Sequence, residues 1–354
     1  MLRHITRKTI SSLLVLPGVV VIVFFLFMAL PGDPAQLTLG QRSDVQTVEN
    51  IRHEMGLDQP VWKQLLLYLN DLSPLALHTD TKSAAEKYHF ARLFPVGGDK
   101  VLVLKFPYLR TSYQDKGSVS AKLMEALPRT IILALAAMFF ASLIGVILGV
   151  IAAVRRSSWV DHTILTSTVI GISVPSFFSA IVLQWLFGYV LGEITGLHLT
   201  GSLYDVDAVS GKEIINWSNL ILPALTLGVR PLAIITQLTR SSMLDVLQSD
   251  FIRTAKAKGL GRIKILFRHA LRNALNPVIT GIGGWLGELL AGAFFVEFIF
   301  GWNGMGKLTV DALEKNDLPV LMGAVIVSAT LLVLINILTE IAYSIADPRI
   351  RAGA

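Results

Sequence analysis

The chain has no cysteine, so no disulfide can staple it and no thiolate can hold a metal. Charge is also scarce: 16% of the 354 residues are charged and 53% are hydrophobic. An ordinary soluble domain carries about 25% charged residues. That deficit fits a chain whose solvent is largely lipid. No internal repeat or low-complexity tract is visible. No histidine or carboxylate cluster has metal-ligand spacing, and no nucleophile motif stands out. Neither a metal site, a cofactor nor a catalytic residue is therefore expected. The net charge of +6 would suit nucleic acid, but the basic residues sit beside apolar runs, as membrane orientation signals do.

What is present is a series of apolar runs at residues 10–30, 130–154, 164–191, 220–238, 278–298 and 320–345. Each is long enough to cross a hydrocarbon core of about 30 Å at 1.5 Å per residue. The first resembles a signal peptide in following Arg3, Arg7 and Lys8. It is longer than a signal core of about 7–15 residues and leads into Pro31-Gly32-Asp33-Pro34 rather than a cleavage site, so an uncleaved span is expected. The fold class predicted is all-α, with about six membrane-spanning helices. Lys and Arg gather before the first run and after the second, fourth and last, where Arg155, Arg156, Arg349 and Arg351 stand. Asp205, Asp207, Asp311, Glu314 and Asp317 fall in the alternate segments. Both termini are thus expected in the cytoplasm. The expected organisation is a first span within 1–30, an extracytoplasmic insertion at 31–117, a core of five helices at 118–346, and a cytoplasmic tail at 347–354.

The insertion is long enough to need structure of its own. Residues 45–55 and 60–72 read as short helices, the second with Trp62, Leu65, Leu66 and Leu69 on an apolar face. Gly97-Gly98-Asp99-Lys100 separates two apolar runs and predicts a β-hairpin.

The segment after the fourth run, residues 241–277, is the most informative. Ser249 or Asp250 can start a helix. Phe251, Ile252, Ala255 and Leu260 recur at near-helical spacing, with Arg253, Thr254, Lys256, Ala257 and Lys258 between them, and Gly259 is a natural stop. Such a helix is too short to span and must lie on a surface. By spacing alone, that surface is either anionic lipid or a protein partner.

Arg253-Thr254-Ala255-x-x-x-Gly259 resembles the EAA motif of permeases in binding-protein-dependent ABC importers, in the form typical of the dipeptide, oligopeptide and nickel subfamily. Pro223–Gly228, Leu238–Leu244, Arg268–Leu275, Val296-Glu297-x-Ile299-Phe300 and Asp347–Arg351 look like further blocks of that subfamily, as do Pro31–Pro34 and Met55–Pro60. The likeness runs over nearly the whole chain. It departs at residues 75–105, and at Asn303, where the family usually has proline. The resemblance implies a type I ABC importer permease fold in a bacterial inner membrane. It further implies a second permease, identical or different, two ATP-binding subunits, and an extracytoplasmic solute-binding protein. Residues 250–260 would dock on the ATPases. The cargo implied is a peptide, with nickel or another small solute as the alternative. A secondary transporter driven by an ion gradient is the rival class, but it favours inverted repeats, and none is seen.

Three ionisable residues fall within the apolar runs. Arg230 and Glu288 sit at matching depth and are candidates for a pore lining or an intramembrane ion pair; Glu340 lies nearer the end of the last run. Pro175, Pro223 and Pro231 are candidate kinks. Gly301-x-x-x-x-Gly306-Lys307-Leu308 nearly matches a P-loop, but no soluble strand precedes it, and a turn is expected instead. His269, among basic residues, reads as a loop hydrogen-bonding group rather than a catalyst.

Overall fold

The structure is a computed structural model that describes residues 2–28, 49, 52–53, 57–206 and 211–346. Most of the expected helix at 45–55 and of the segment around residues 31–56, and the tail 347–354, lie outside the described residues, as does the side chain of Glu340. Among the described residues, three helices are uninterrupted and long and apolar enough to cross a membrane: Val119–Val154, Ser218–Leu247 and Leu318–Thr339. Two further helix pairs qualify together but are bent, and Leu14–Met28 is a shorter apolar helix. Each apolar run of the sequence falls on one of these.

In chain order the helices and strands are α1 (Leu2–Met28), α2 (Val61–Leu72), β1 (Leu75–Thr79), α3 (Lys82–Tyr88), β2 (Ala91–Gly97), β3 (Lys100–Leu104), α4 (Val119–Val154), α5 (Trp159–Ser173) and α6 (Ser176–Leu183). A π-helical turn, Gln184–Val190, extends α6, and α7 (Gly192–Thr195), β4 (Tyr204–Val206) and β5 (Glu213–Ile215) follow. Then come α8 (Ser218–Leu247), α9 (Asp250–Ala257), α10 (Arg262–Lys264), a second π-helical stretch (Ile265–Leu271), α11 (Arg272–Gly292), α12 (Phe294–Phe300), α13 (Met305–Glu314) and α14 (Leu318–Ala346).

The run at 164–191 was expected as one span; it turns by 107° between α5 and α6. Pro175 causes the break. It offers no N–H to the helix, and Val174 before it is pushed to extended geometry, φ −78° and ψ 128°. The fifth run bends by 59° where α11 gives way to α12.

Contacts divide the chain into two compact units. One comprises Leu127–Lys307 with Met1–Leu13 and Ser328–Ala354. Its core runs through Leu133, Ala137, Ala141, Leu227, Ile235, Leu289 and Phe300. Here α4 and α8 approach through small residues. A Cβ on Gly149 would stand 2.5 Å from Thr239 Cβ and 2.7 Å from the Thr236 carbonyl oxygen; one on Gly145 would stand 2.9 Å from Ile235 Cγ2.

The other unit comprises Leu14–Ala126 and Leu308–Val327. Its sheet is antiparallel, in the order β1-β3-β2. The hairpin expected around Gly97-Gly98 is there, with φ +121° and +57° at the two glycines. Beneath the sheet, Ala76, Val101 and Val103 form a small core with Phe90. Asp71, at the end of α2, accepts from Tyr88 Oη and Arg110 Nε, each at 3.2 Å, and its carbonyl accepts from Lys105 Nζ at 2.6 Å. Asp317 accepts from Ser112 Oγ and from the Tyr113 N–H, fixing the residues before α4 to the start of α14.

Candidate functional site

The basic segment after α8 folds as a short helix, α9, closed by Gly259. Gly259 has φ +74°, and its surroundings would leave a Cβ in open space, so the demand there is torsional rather than steric. Leu260 N–H donates to the Ala255 carbonyl at 3.3 Å and Gly259 N–H to the Lys256 carbonyl at 2.9 Å. This is the paired bonding of a Schellman stop. Leu260 packs in the same cluster as Ala255, completing it. At the other end Ser249 precedes the helix, but its hydroxyl donates back to the Val246 carbonyl and caps nothing.

The apolar stripe does not all face outward. Ile252 is fully buried and Ala255 is 6% exposed, both packed with Val150, Ala153, Met243, Ile265 and Ala270 of the same chain. Asp250, Phe251, Arg253, Thr254, Lys256, Ala257 and Lys258 point outward. Two apolar side chains of the second basic stretch, Ile263 and Phe267, extend that exposed surface. Their signal was present as apolar residues at four-residue spacing, Ile263 and Phe267, between basic ones. A cavity of about 340 Å³ lies beside it, with Lys256, Leu260 and Arg262 in its lining. The arrangement is an inward apolar anchor and an outward basic-aromatic face. It has the chemistry of a docking surface.

α8 is tied to α5 just before this loop. Arg240 donates to Asp161 through Nε at 2.6 Å and Nη2 at 2.7 Å, and Asp161 also accepts the Ser157 N–H at 2.9 Å. One turn earlier, Gln237 Nε2 donates to Thr168 Oγ1 at 3.0 Å. Arg240 was legible only as a positive charge; its partner lies 79 residues away.

Arg230 and Glu288 are both exposed, and among the described residues no ion pair joins them. Matching depth along two helices did not fix their rotation.

The P-loop look-alike binds a carboxylate of its own chain. Glu297 is fully buried; its Oε2 accepts the N–H groups of Gly306 at 2.7 Å and Lys307 at 3.2 Å, and its Oε1 accepts from Thr130 Oγ1 at 2.7 Å. Thr130 Oγ1 in turn accepts the Met305 N–H at 2.8 Å. Trp302, also fully buried, donates from Nε1 to the Arg129 carbonyl at 3.1 Å. The expected turn is therefore built around an internal carboxyl group. Asn303 N–H donates to Ser202 Oγ at 3.4 Å, a bond the proline usual in the resembling family could not make.

Comparison with known proteins agrees with this architecture. Residues 145–352 match the family described as binding-protein-dependent transport system inner membrane component, and residues 1–134 match its N-terminal counterpart. The dipeptide transport system permease protein DppB of Alkalihalophilus pseudofirmus is 35% identical, with 99% of this chain and 100% of the relative aligned. The di/tripeptide transport system permease protein DppB of Pseudomonas aeruginosa is 36% identical over 99% of both. The dipeptide permease of Escherichia coli K12 is 34% identical over 99% of both. Among solved structures, the inward-facing MetNI methionine ABC transporter matches with a TM-score of 0.51 at 16% identity, over 64% of this chain and 97% of that one, a likeness of fold. The chain belongs to the family of binding-protein-dependent transport system inner membrane components, multi-pass proteins of the bacterial inner membrane and parts of ABC importers.

Proposed function

We propose that this chain is a permease subunit of an ATP-driven importer of di- or oligopeptides and forms half of the translocation pore. The peptide cargo follows from the names of relatives aligned over their full length. A second permease completes the pore, two ATP-binding subunits dock on the loops of the pair, and a solute-binding protein delivers cargo from outside. Both termini are cytoplasmic. This chain carries no covalent chemistry and needs no cofactor; ATP is handled by its partners. Arg230 and Glu288, exposed on the single subunit, line the path or the contact with the second permease.

The observation that carries the reading is the outward face of α9, with Phe251, Arg253, Lys256 and Lys258 exposed beside Ile263 and Phe267. ATP binding biases an inward–outward equilibrium through that contact. The test is co-purification of the ATP-binding subunits together with peptide uptake. Gly259→Val strains the left-handed backbone position, and paired Arg253→Glu and Lys256→Glu reverse the face. Both variants still insert but lose ATPase association or uptake. Normal association and normal uptake in both would remove the coupling assignment. Ala255→Glu is not a clean probe, because Ala255 faces the chain's own core.

A further inference from the structure

The amphipathic helix α2 has more apolar surface than the protein covers. One side is used: Tyr68, Leu65, Leu69 and Leu72 pack with Val20 and Phe24 of α1 and with Met322 and Ile326 of α14, and the Phe24 and Tyr68 rings lie 5.8 Å apart. A second side holds the sheet, where the Asn70 side chain bonds the backbone of Leu77 as donor at 3.2 Å and acceptor at 3.1 Å. Trp62 and Leu66, one turn apart, remain open at 63% and 56% exposure, next to Val61 at 42%. The apolar arc is thus wider than the roughly 100° stripe that one packed face requires.

Depth decides what covers the remainder. Phe24 and Val20 lie four and eight residues inside the Met28 end of α1. Met322 and Ile326 lie four and eight residues inside the Leu318 end of α14. At 1.5 Å per residue, both pairs sit about 6 and 12 Å within a membrane helix. An interfacial helix buries its apolar face about 5–10 Å into the headgroup and acyl boundary. α2 is seated at that level by its own packing. Its first turn carries a tryptophan, a residue favoured at this boundary.

We infer that α2 is an interfacial membrane helix whose Trp62–Leu66 strip is inserted among the phospholipids of the leaflet nearest the insertion. It pins the insertion to the bilayer surface and leaves its sheet in water. The inference rests on the chain's membrane-spanning character and is independent of which side that leaflet faces or what is transported.

The test exploits the absence of cysteine. Trp62→Cys, Leu66→Cys and, on the exposed side of α3, Glu86→Cys are spin-labelled one at a time in the assembled importer in phospholipid nanodiscs. Collisions with molecular oxygen and with chromium oxalate are then compared. At positions 62 and 66 oxygen should exceed oxalate severalfold, with the order reversed at 86. Access of oxalate to 62 and 66 would place the strip in water; protection from both reagents would mean a protein covers it. Either result overturns the inference. Peptide uptake by each labelled importer, measured separately, reports whether the functional assignment stands.

Discussion

Asp161, 1% exposed, is held by Arg240 in a bidentate pair that joins the first turn of α5 to α8, ten residues before α9. Two parallel bonds to a planar guanidinium are a geometry lysine cannot copy. Arg240→Lys and Asp161→Asn should each lower the stability of the purified subunit, by roughly 3–5 kcal/mol where a buried charge loses its partner altogether. The double change Arg240→Met with Asp161→Leu should cost less than the sum of those same two changes made singly. A double-mutant cycle on thermal unfolding measures this, and additive losses would deny the pair an energetic role.

Gly304 and Gly306 are held against Glu297. A Cβ on Gly304 would fall 2.4 Å from Glu297 Oε2 and 2.5 Å from Thr130 Oγ1. Gly304→Ala must push the turn off its carboxylate, a strain of about 1–3 kcal/mol by the usual cost of overpacking. The melting temperature of Gly304→Ala against that of Gly284→Ala, where the added carbon meets nothing, checks this.

Arg230 and Glu288, unpaired with each other and exposed, should tolerate change in folding but not in transport. Arg230→Met and Glu288→Gln are expected to leave the amount of inserted protein near normal and to reduce uptake. Their effects on stability should add, in contrast to those at Asp161 and Arg240. Coupled stability losses would place the two side chains in contact.

His78 lies buried beneath the sheet, with its Nε2 lacking a hydrogen-bond partner, stacked 4.0 Å from Tyr88 and 5.9 Å from Phe90. Burial, reinforced by the nearby Lys105 ammonium, holds its pKa below the ordinary 6.5. The folded form therefore resists a proton that the unfolded form accepts. Its contribution is full above the unfolded value of 6.5 and is lost as pH falls below it. Amide protection factors in β1 and β3, taken relative to the intrinsic exchange rate at each pH, should fall between pH 7 and pH 5, and His78→Phe should flatten that dependence.

Orientation is open to single-cysteine labelling. Ser83 and Glu213 are exposed in two of the three segments expected outside, and Ser157 in one expected inside. Ser202, another candidate by sequence, is buried and would report poorly. An impermeant thiol reagent applied to cells should mark cysteines at 83 and 213 and spare 157. The reverse pattern would invert the topology.

Hydropathy located the membrane-embedded runs because transfer from water is additive along the sequence, and the two glycines located the hairpin because few residues accept their torsions. It could not show the 107° turn at Pro175, since an apolar run scores alike whether straight or folded back. β1 escaped notice: Leu75–Thr79 offers little alternation, and its pairing with β3 is non-local. At α9 the spacing of Ile252 and Ala255 revealed an apolar face but not its cover, which is the chain's own core. Glu297 stood out by resemblance alone, because two of its donors are the N–H groups of Gly306 and Lys307, which carry no side-chain signature, and the third, Thr130 Oγ1, lies 167 residues away.

The notch of Gly145 and Gly149 limits how the permease can move. Thr239 occupies the space a side chain at 149 would need. Sliding α4 by one residue along α8 would drive Val146 or Val150 into that slot, so the two helices are keyed like a tongue in a groove and must travel as one piece. Any alternating motion would then fall to the places where helical hydrogen bonding is broken, the Val174-Pro175 turn and the α11–α12 bend. Widening the slot with Thr239→Gly would give the transporter a slipping gear.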